Sequence, residues 1–262
     1  MSNADALNVL GAVKTYPGAT VPVLNGVNLS VGRGESFVIL GATGSGKSTL
    51  LRAIAGLESL DSGRVDIHGG RLAMVFQQAA LLPWLSVREN ITLGLKFRRN
   101  RGVSARSYVD ELLERLGIAH LASSLPSELS GGQAQRVSIA RALAVKPSVL
   151  LLDEPLSALD PATRQDVQHW LREVIVDLGV SALTISHDIS EALVLGDRIG
   201  FFEAGIGFSR IWRTDDPSVS EEEIFEYYRS RSAFASANPR VPETAQALEL
   251  PESRVKVAAG VG

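Results

Sequence analysis

The stretch Glu35–Leu57, "ESFVILGATGSGKSTLLRAIAGL", constrains this chain more than any other. "ESFVIL" is a short apolar run and reads as a buried strand. "STLLRAIAGL" has helical spacing through Leu50, Leu51, Ile54 and Leu57. Between them, Gly41-Ala-Thr-Gly-Ser-Gly-Lys-Ser48 matches G-x-x-x-x-G-K-[ST], and strand before plus helix after is the context that motif requires. Gly41, Gly44 and Gly46 let successive backbone N–H groups turn inward around an anion. The helix N-terminus adds the positive end of its dipole. Ala42, Thr43, Ser45 and Thr49 complete the loop as candidate nucleotide contacts. Lys47 can reach the β- and γ-phosphates, and the Ser48 hydroxyl can ligate Mg²⁺.

The remaining pattern sets the fold class. Short alternating runs before residue 40 read as strands, as do "GRVDIHG" and "RLAMVFQ". From Ser86 the period changes. Ser86-Val-Arg-Glu89 has capping-box spacing and predicts a helix through about Arg98. "RRNRGVS" reads as a loop, "SARSYVDELLERLGI" as a helix closed near Gly117, and "LSGGQAQRVSIARALAV" as a third helix. Residues 85–145 are thus a helical insertion. "SVLLLDE" and "SALTISHD" read as buried strands around a helix with Pro161 at its start and Gly179 past its end. "RIGFFEAGIGFSRIW" fits a closing hairpin. Strands alternating with helices predict an α/β fold with a mostly parallel sheet. Composition shifts after Arg213. A helix capped at Ser220 and a loosely ordered tail to Gly262 are expected there.

Three polar sites follow strands. Asp153 ends "SVLLLD" and suits a Mg²⁺-linked carboxylate. Glu154 follows it and, by strand alternation, points elsewhere, where it can hold an attacking water as general base. His187 follows "ALTIS" at a sheet's C-terminal edge, where α/β folds bind ligands. Alone it fits a structural role as well as a hydrogen bond to a terminal phosphate. Gln77, ending "MVFQ", has the same placement and can reach Mg²⁺ or the water. An edge hydrogen bond without ligand explains it equally well.

"ELSGGQAQR" places two glycines at a helix start. Ser130-Gly-Gly-Gln133 has capping-box spacing, yet a capping box does not need Gly131 and Gly132, which together cost about 1–2 kcal/mol relative to alanine. Close approach of a phosphate to bare backbone accounts for both.

Bulk properties exclude several classes. The chain has no cysteine, hence no disulfide, thiolate metal site or thiol nucleophile. Its net charge of −3 argues against nucleic acid as a partner. The N-terminus does not read as a secretory signal. No apolar run approaches the roughly 18 residues needed to span a bilayer. A cytoplasmic protein is expected, with any membrane supplied by another chain.

Taken together, these residues resemble the ATP-binding subunit of ATP-binding cassette (ABC) transporters over about residues 8–212. "GATGSGKST" resembles Walker A, "VFQ" the Q-loop, "LSGGQ" the signature, "LLLDEP" Walker B, "SALD" the D-loop and "SHD" the H-loop. The resemblance implies a P-loop NTPase of the ABC ATPase type, with an antiparallel β-subdomain and a helical subdomain. It implies an ATPase domain over residues 6–212 and a C-terminal helix and tail over 213–262. Tyr16 looks like the aromatic residue that stacks on adenine, and Asp160 like part of the D-loop that lies between two copies. Glu154 looks like the catalytic base, His187 like the γ-phosphate switch, and Gln77 like the link from metal to membrane partner. Ser186 and Ala134 stand where the family more often has Thr and Gln.

By the same resemblance, two copies bind two ATP molecules head to tail. Each P-loop then faces the Ser130, Gly131, Gly132 and Gln133 of the other copy. Transmembrane permease subunits are the implied partners, with a solute-binding protein acting indirectly and the cassette peripheral on the inner membrane face. "FQQAALLPWLSVRENI" looks like the subgroup serving nitrate, sulfonate and taurine uptake. Leu81, Leu82, Trp84 and Leu85 fit either a docking patch for the permease or core packing beneath the helical insertion. Alternatives are an exporter ATPase, or an ATP-gated clamp acting outside transport. The clamp is disfavoured by the absence of sustained heptads and by the charge balance.

Overall fold

The computed structural model describes residues 5–100 and 106–237. The chain forms two sheets. Strands β1 (Asp5–Lys14), β2 (Leu24–Gly32) and β4 (Ser62–Ile67) make an antiparallel sheet in the order β2-β1-β4. Strands β3 (Ser36–Leu40), β5 (Leu72–Val75), β6 (Val149–Asp153), β7 (Ser181–Ile185), β8 (Arg198–Glu203) and β9 (Gly207–Arg213) make the larger sheet, ordered β5-β6-β7-β3-β8-β9. Its first five strands are parallel, and β9 closes it antiparallel to β8.

Every residue of β3, β6 and β7 is buried, as uninterrupted apolar runs require when both faces of a sheet are covered. One face packs with α1 (Lys47–Ile54) and the antiparallel sheet, through Leu50, Leu51, Leu7 and Val31. The other packs with the helices α2 (Val87–Thr92), α3 (Arg106–Arg115), α4 (Gly131–Leu143), α5 (Pro161–Leu178), α6 (Ile189–Leu195) and α7 (Glu221–Ala237). Each fully buried Leu or Ile adds about 1.5–3 kcal/mol, so these two apolar clusters dominate what holds the sheet in place.

Local signals act largely as their chemistry dictates. Ser86 and Glu89 form the expected capping box. Asp160 caps α5 with Pro161 at its first position, and Gly179 ends it at φ +59°. Ser220 accepts a hydrogen bond from the Glu223 amide at 3.2 Å as α7 begins. The helix from Ser86 is shorter than its sequence predicts. It ends at Thr92 and tightens to a 3₁₀ turn over Leu93–Lys96. Gly94, a poor helix former, sits in that turn, where an added side chain would lie 2.9 Å from Cγ1 of Val145. Asn100 also draws on the freed Gly94 carbonyl at 2.7 Å. Part of the expected "RRNRGVS" loop, and the tail beyond residue 237, lie outside the described residues. Among the described residues, no helix is long and apolar enough to cross a membrane.

Candidate functional site

Sheet register gathers the polar residues. Val75 pairs with Leu152, Asp153 with Ile185, and Ile185 with Ile39. Adjacent strands β5, β6, β7 and β3 therefore end at one edge. From that edge come Gln77, then Asp153 and Glu154, then His187, then the loop Gly41–Ser48. This C-terminal edge of a parallel sheet is where α/β folds place ligands.

The glycine loop is shaped by its neighbours. A Cβ at Gly41 would meet the Phe202 carbonyl at 2.3 Å, and one at Gly46 the Val23 carbonyl at 2.9 Å. Both positions also have positive φ, so bulkier residues fail twice. Ala42 and Ser45 close the turn with a 3.2 Å backbone hydrogen bond, and the loop feeds directly into α1. Lys47 folds back over it. Its Nζ donates to the carbonyls of Gly41 and Ala42, both at 2.7 Å. Burial pulls the Lys47 pKa down to about 8, against the opposing pull of Glu154 and Asp153.

Ser48 Oγ donates to Asp153 Oδ1 at 3.3 Å, joining α1 to the end of β6. Burial pushes the Asp153 carboxyl up, while the Ser48 hydrogen bond opposes it. A hydroxyl and one carboxylate suit Mg²⁺, which favours one or two protein oxygens plus substrate phosphates. Among the described residues no three His, Cys, Asp or Glu side chains gather as a self-sufficient cage. Gln77 is exposed, two residues beyond β5.

Glu154 departs from the alternation expected of a strand. β6 stops at Asp153, and Glu154 takes φ +47°, a left-handed conformation that is costly for a residue with a side chain. Neighbouring groups hold it there. Its amide donates to Ile185 O at 3.1 Å, and its carbonyl accepts from Ser157 N and Oγ at 3.3 and 3.0 Å. The turn carries the Glu154 carboxylate toward β7, where Oε2 lies 3.5 Å from His187 Nδ1. Glu154 and His187 are thus neighbours, an arrangement the sequence did not specify.

Tyr16 stands beside the same helix start. Its hydroxyl is 3.2 Å from Thr49 Oγ1, and its ring lies 5.6 Å from Lys14 Nζ. The residue remains 37% exposed.

The signature residues lie at the start of α4. Ser130 Oγ accepts from the Gln133 amide at 3.3 Å, and Gln133 Oε1 accepts from the Ser130 amide at 2.9 Å. The two glycines differ. Gly132 is buried, and a Cβ there would come within 2.5 Å of Thr163 Cγ2 on α5. Gly131 is exposed, with Leu159 Cδ2 no nearer than 3.6 Å. Phosphate approach is therefore not needed to account for Gly132, because packing inside the chain already requires it. Only Gly131 is left as bare backbone without an internal reason.

The apolar cluster after Gln77 also divides. Leu81 packs against the large core, whereas Trp84 is 71% exposed. Two polar residues escaped the sequence reading, Arg164 and Glu191. Asp188 and Glu191 have the spacing of a helix start, and Asp188 does cap α6 at the Glu191 amide. That signal was available but pointed to a cap rather than to a site.

Comparison with known proteins agrees with this geometry. The ABC transporter family profile matches residues 24–157. The taurine import ATP-binding protein TauB of Chromobacterium violaceum is 43% identical over 77% of this chain and 83% of its own length. The sulfate/thiosulfate import ATP-binding protein CysA of Methylococcus capsulatus is 45% identical over 70% of this chain, which spans 56% of that relative. An ATP-binding cassette solved as a dimer in a post-hydrolysis state with ADP and Pi superposes with a TM-score of 0.68. It is 33% identical, over 79% of this chain and 98% of that one. The ordered motifs, their common sheet edge and these similarities have one reading: the chain belongs to the ABC transporter family of ATP-binding proteins.

Proposed function

We propose that this chain is the ATP-hydrolysing subunit of an importer for a small anion of the sulfonate, taurine or sulfate kind, working with separate permease subunits. The convergence of the Gly41–Ser48 loop, Asp153, Glu154 and His187 at one sheet edge carries the catalytic part. The names of the import relatives support the transport part. Residues 6–212 form the ATPase domain, with 85–145 as its helical subdomain, and the chain sits peripherally on the cytoplasmic face of the membrane.

In this reading the Gly41–Thr49 loop cradles the ATP phosphates with backbone N–H groups, and Tyr16 stacks on adenine. Lys47 exchanges its two loop carbonyls for phosphate oxygens. Ser48, Asp153 and Gln77 would hold Mg²⁺, which neutralises phosphate charge when bound. Glu154 orients the attacking water and accepts its proton, while His187 donates to the γ-phosphate. The Ser130–Gln133 end of a second copy closes over the same phosphate, Gly131 bringing its amide nearest. ATP then favours the closed dimer, and hydrolysis lets it open. Trp84 offers the permease an apolar anchor.

Phosphate release by the purified chain tests the catalytic part. Lys47→Ala should abolish it by weakening nucleotide binding, and Glu154→Gln should abolish it while binding persists. Hydrolysis that survives Glu154→Gln would remove Glu154 from the role of base.

A further inference from the structure

Two loops of the site are tied together from within the chain. Arg164 lies in the first turn of α5. Its Nη2 donates to the Leu159 carbonyl at 3.0 Å and reaches that of Ser157 at 3.5 Å. Its Nη1 lies 3.6 Å from Asp188 Oδ2. Ser157 and Leu159 belong to the stretch between Glu154 and Asp160, and Asp188 directly follows His187. One planar guanidinium therefore grips the backbone of the first loop and the carboxylate of the second, which a lysine's single ammonium cannot do in the same way.

Both loops have further anchors. Ser186 Oγ donates to Glu191 Oε2 at 2.8 Å and accepts from the Asp188 amide at 3.0 Å, so the His187 loop is fastened on both flanks. Glu191 is only 4% exposed. Leu159 faces Gly131, and Thr163 faces Gly132, so the first loop and the start of α5 back directly onto the start of α4. Arg164 Nε and Glu191 Oε1 are both buried without a hydrogen-bond partner. Orphaned polar atoms on the two side chains that brace these loops are a cost that loop geometry alone does not explain.

We infer that Arg164 is a positioning residue that couples the Leu156–Asp160 loop, and with it the Ser130–Gln133 end of α4, to the loop carrying His187. This rests on the shared-site reading above. There, the start of α4 serves the ATP of the other copy while His187 serves this chain's own. Arg164 then lies on the path inside one chain that joins the two sites.

Arg164→Ala, Asp188→Asn and the double variant test this on the full chain. Steady-state phosphate release and equilibrium binding of a fluorescent ATP analogue are the two readouts. Each single variant should lower kcat by about tenfold or more, as small misplacements of reacting groups do, with nucleotide affinity unchanged. The double variant should be no slower than the slower single, because both break one link. Asparagine preserves the α6 cap, so the Asp188 arm decides even where Arg164→Ala does not fold. Losses that multiply in the double variant, or a wild-type kcat in Asp188→Asn, overturn the coupling. A separate arm measures the mass of Glu154→Gln with ATP. If it stays a single chain while the double variant is non-additive, the shared-site reading falls and the inter-site role with it. The link between the two loops then stands.

Discussion

Gly132 and Thr163 are packed so closely that a methyl group on the first would overlap the Cγ2 of the second, at 2.5 Å. The glycine therefore serves the joint between α4 and α5. Gly132→Ala should lower stability by about 1–3 kcal/mol from overpacking, partly offset by about 1 kcal/mol of helix propensity. Thr163→Ser removes Cγ2 and should restore most of the loss. Thermal unfolding of the two singles and the double would show it. Additive effects would mean that the two side chains do not meet.

Gly131 carries the opposite expectation. It faces outward with room for a side chain, so Gly131→Asp should leave folding and single-chain nucleotide binding intact. It should cut phosphate release by roughly a hundredfold or more, since it sets a like charge against phosphate. Loss of nucleotide binding by the isolated chain would instead place Gly131 at its own ATP.

Much of this was legible in the sequence because it rests on short-range chemistry. Fully apolar runs gave β3, β6 and β7, and the glycine loop was correctly expected between a strand and a helix. Ser86, Ser130 and Ser220 cap helices as their side chains dictate. What escaped depends on neighbours distant in sequence. Alternation along β6 cannot announce that Glu154 turns to φ +47°, because Ile185 and Ser157 hold it there. Gly132 had only a phosphate to explain it because Thr163, which also needs it bare, is thirty-one positions away. The helix after Ser86 looked longer because its apolar spacing does not announce the change to a 3₁₀ turn at Leu93. Leu81 and Trp84 looked alike as apolar letters, yet one packs against the core and the other stays exposed.

Lys47 sets a pH dependence. Its folded-state pKa is lowered to about 8, so the folded chain holds fewer protons than the unfolded chain from there up to 10.5. Stability attributable to this group rises over that window, because a buried charge is being relieved. Phosphate binding runs the other way, since a neutral lysine attracts phosphate less. Nucleotide affinity should fall by up to about tenfold per pH unit above 8, and the fall should vanish in Lys47→Ala. A wild-type affinity that stays flat to pH 10 would contradict the assigned contact.

Glu191 acts on stability with a different sign. Its pKa is raised to about 7, by burial first and then by Asp188 and Glu154, while Ser186 and Arg164 oppose. The folded chain retains this proton between 4.5 and about 7. Its contribution is full below 4.5 and is lost as pH rises through 7, on the order of 3 kcal/mol. Glu191→Gln cannot ionise, so its melting temperature should fall less than wild type between about pH 5 and pH 8. Equal slopes would place the titration elsewhere.

Trp84 and Leu81 separate docking from packing. Leu81→Ala should destabilise the fold by about 1–3 kcal/mol. Trp84→Ala should leave melting and nucleotide affinity unchanged while losing co-purification with the proposed permease partner. Retained co-purification with a lowered melting temperature would assign Trp84 to the core.

In the proposed dimer two copies share each ATP, the phosphate loop of one facing Gly131 of the other. The mass of Glu154→Gln in solution at saturating Mg-ATP tests it most directly, with nucleotide occupancy measured on the same sample. The account predicts twice the 28.0 kDa chain mass with ATP, returning to the single chain with ADP. A fully occupied protein that stays at 28.0 kDa with ATP would contradict it.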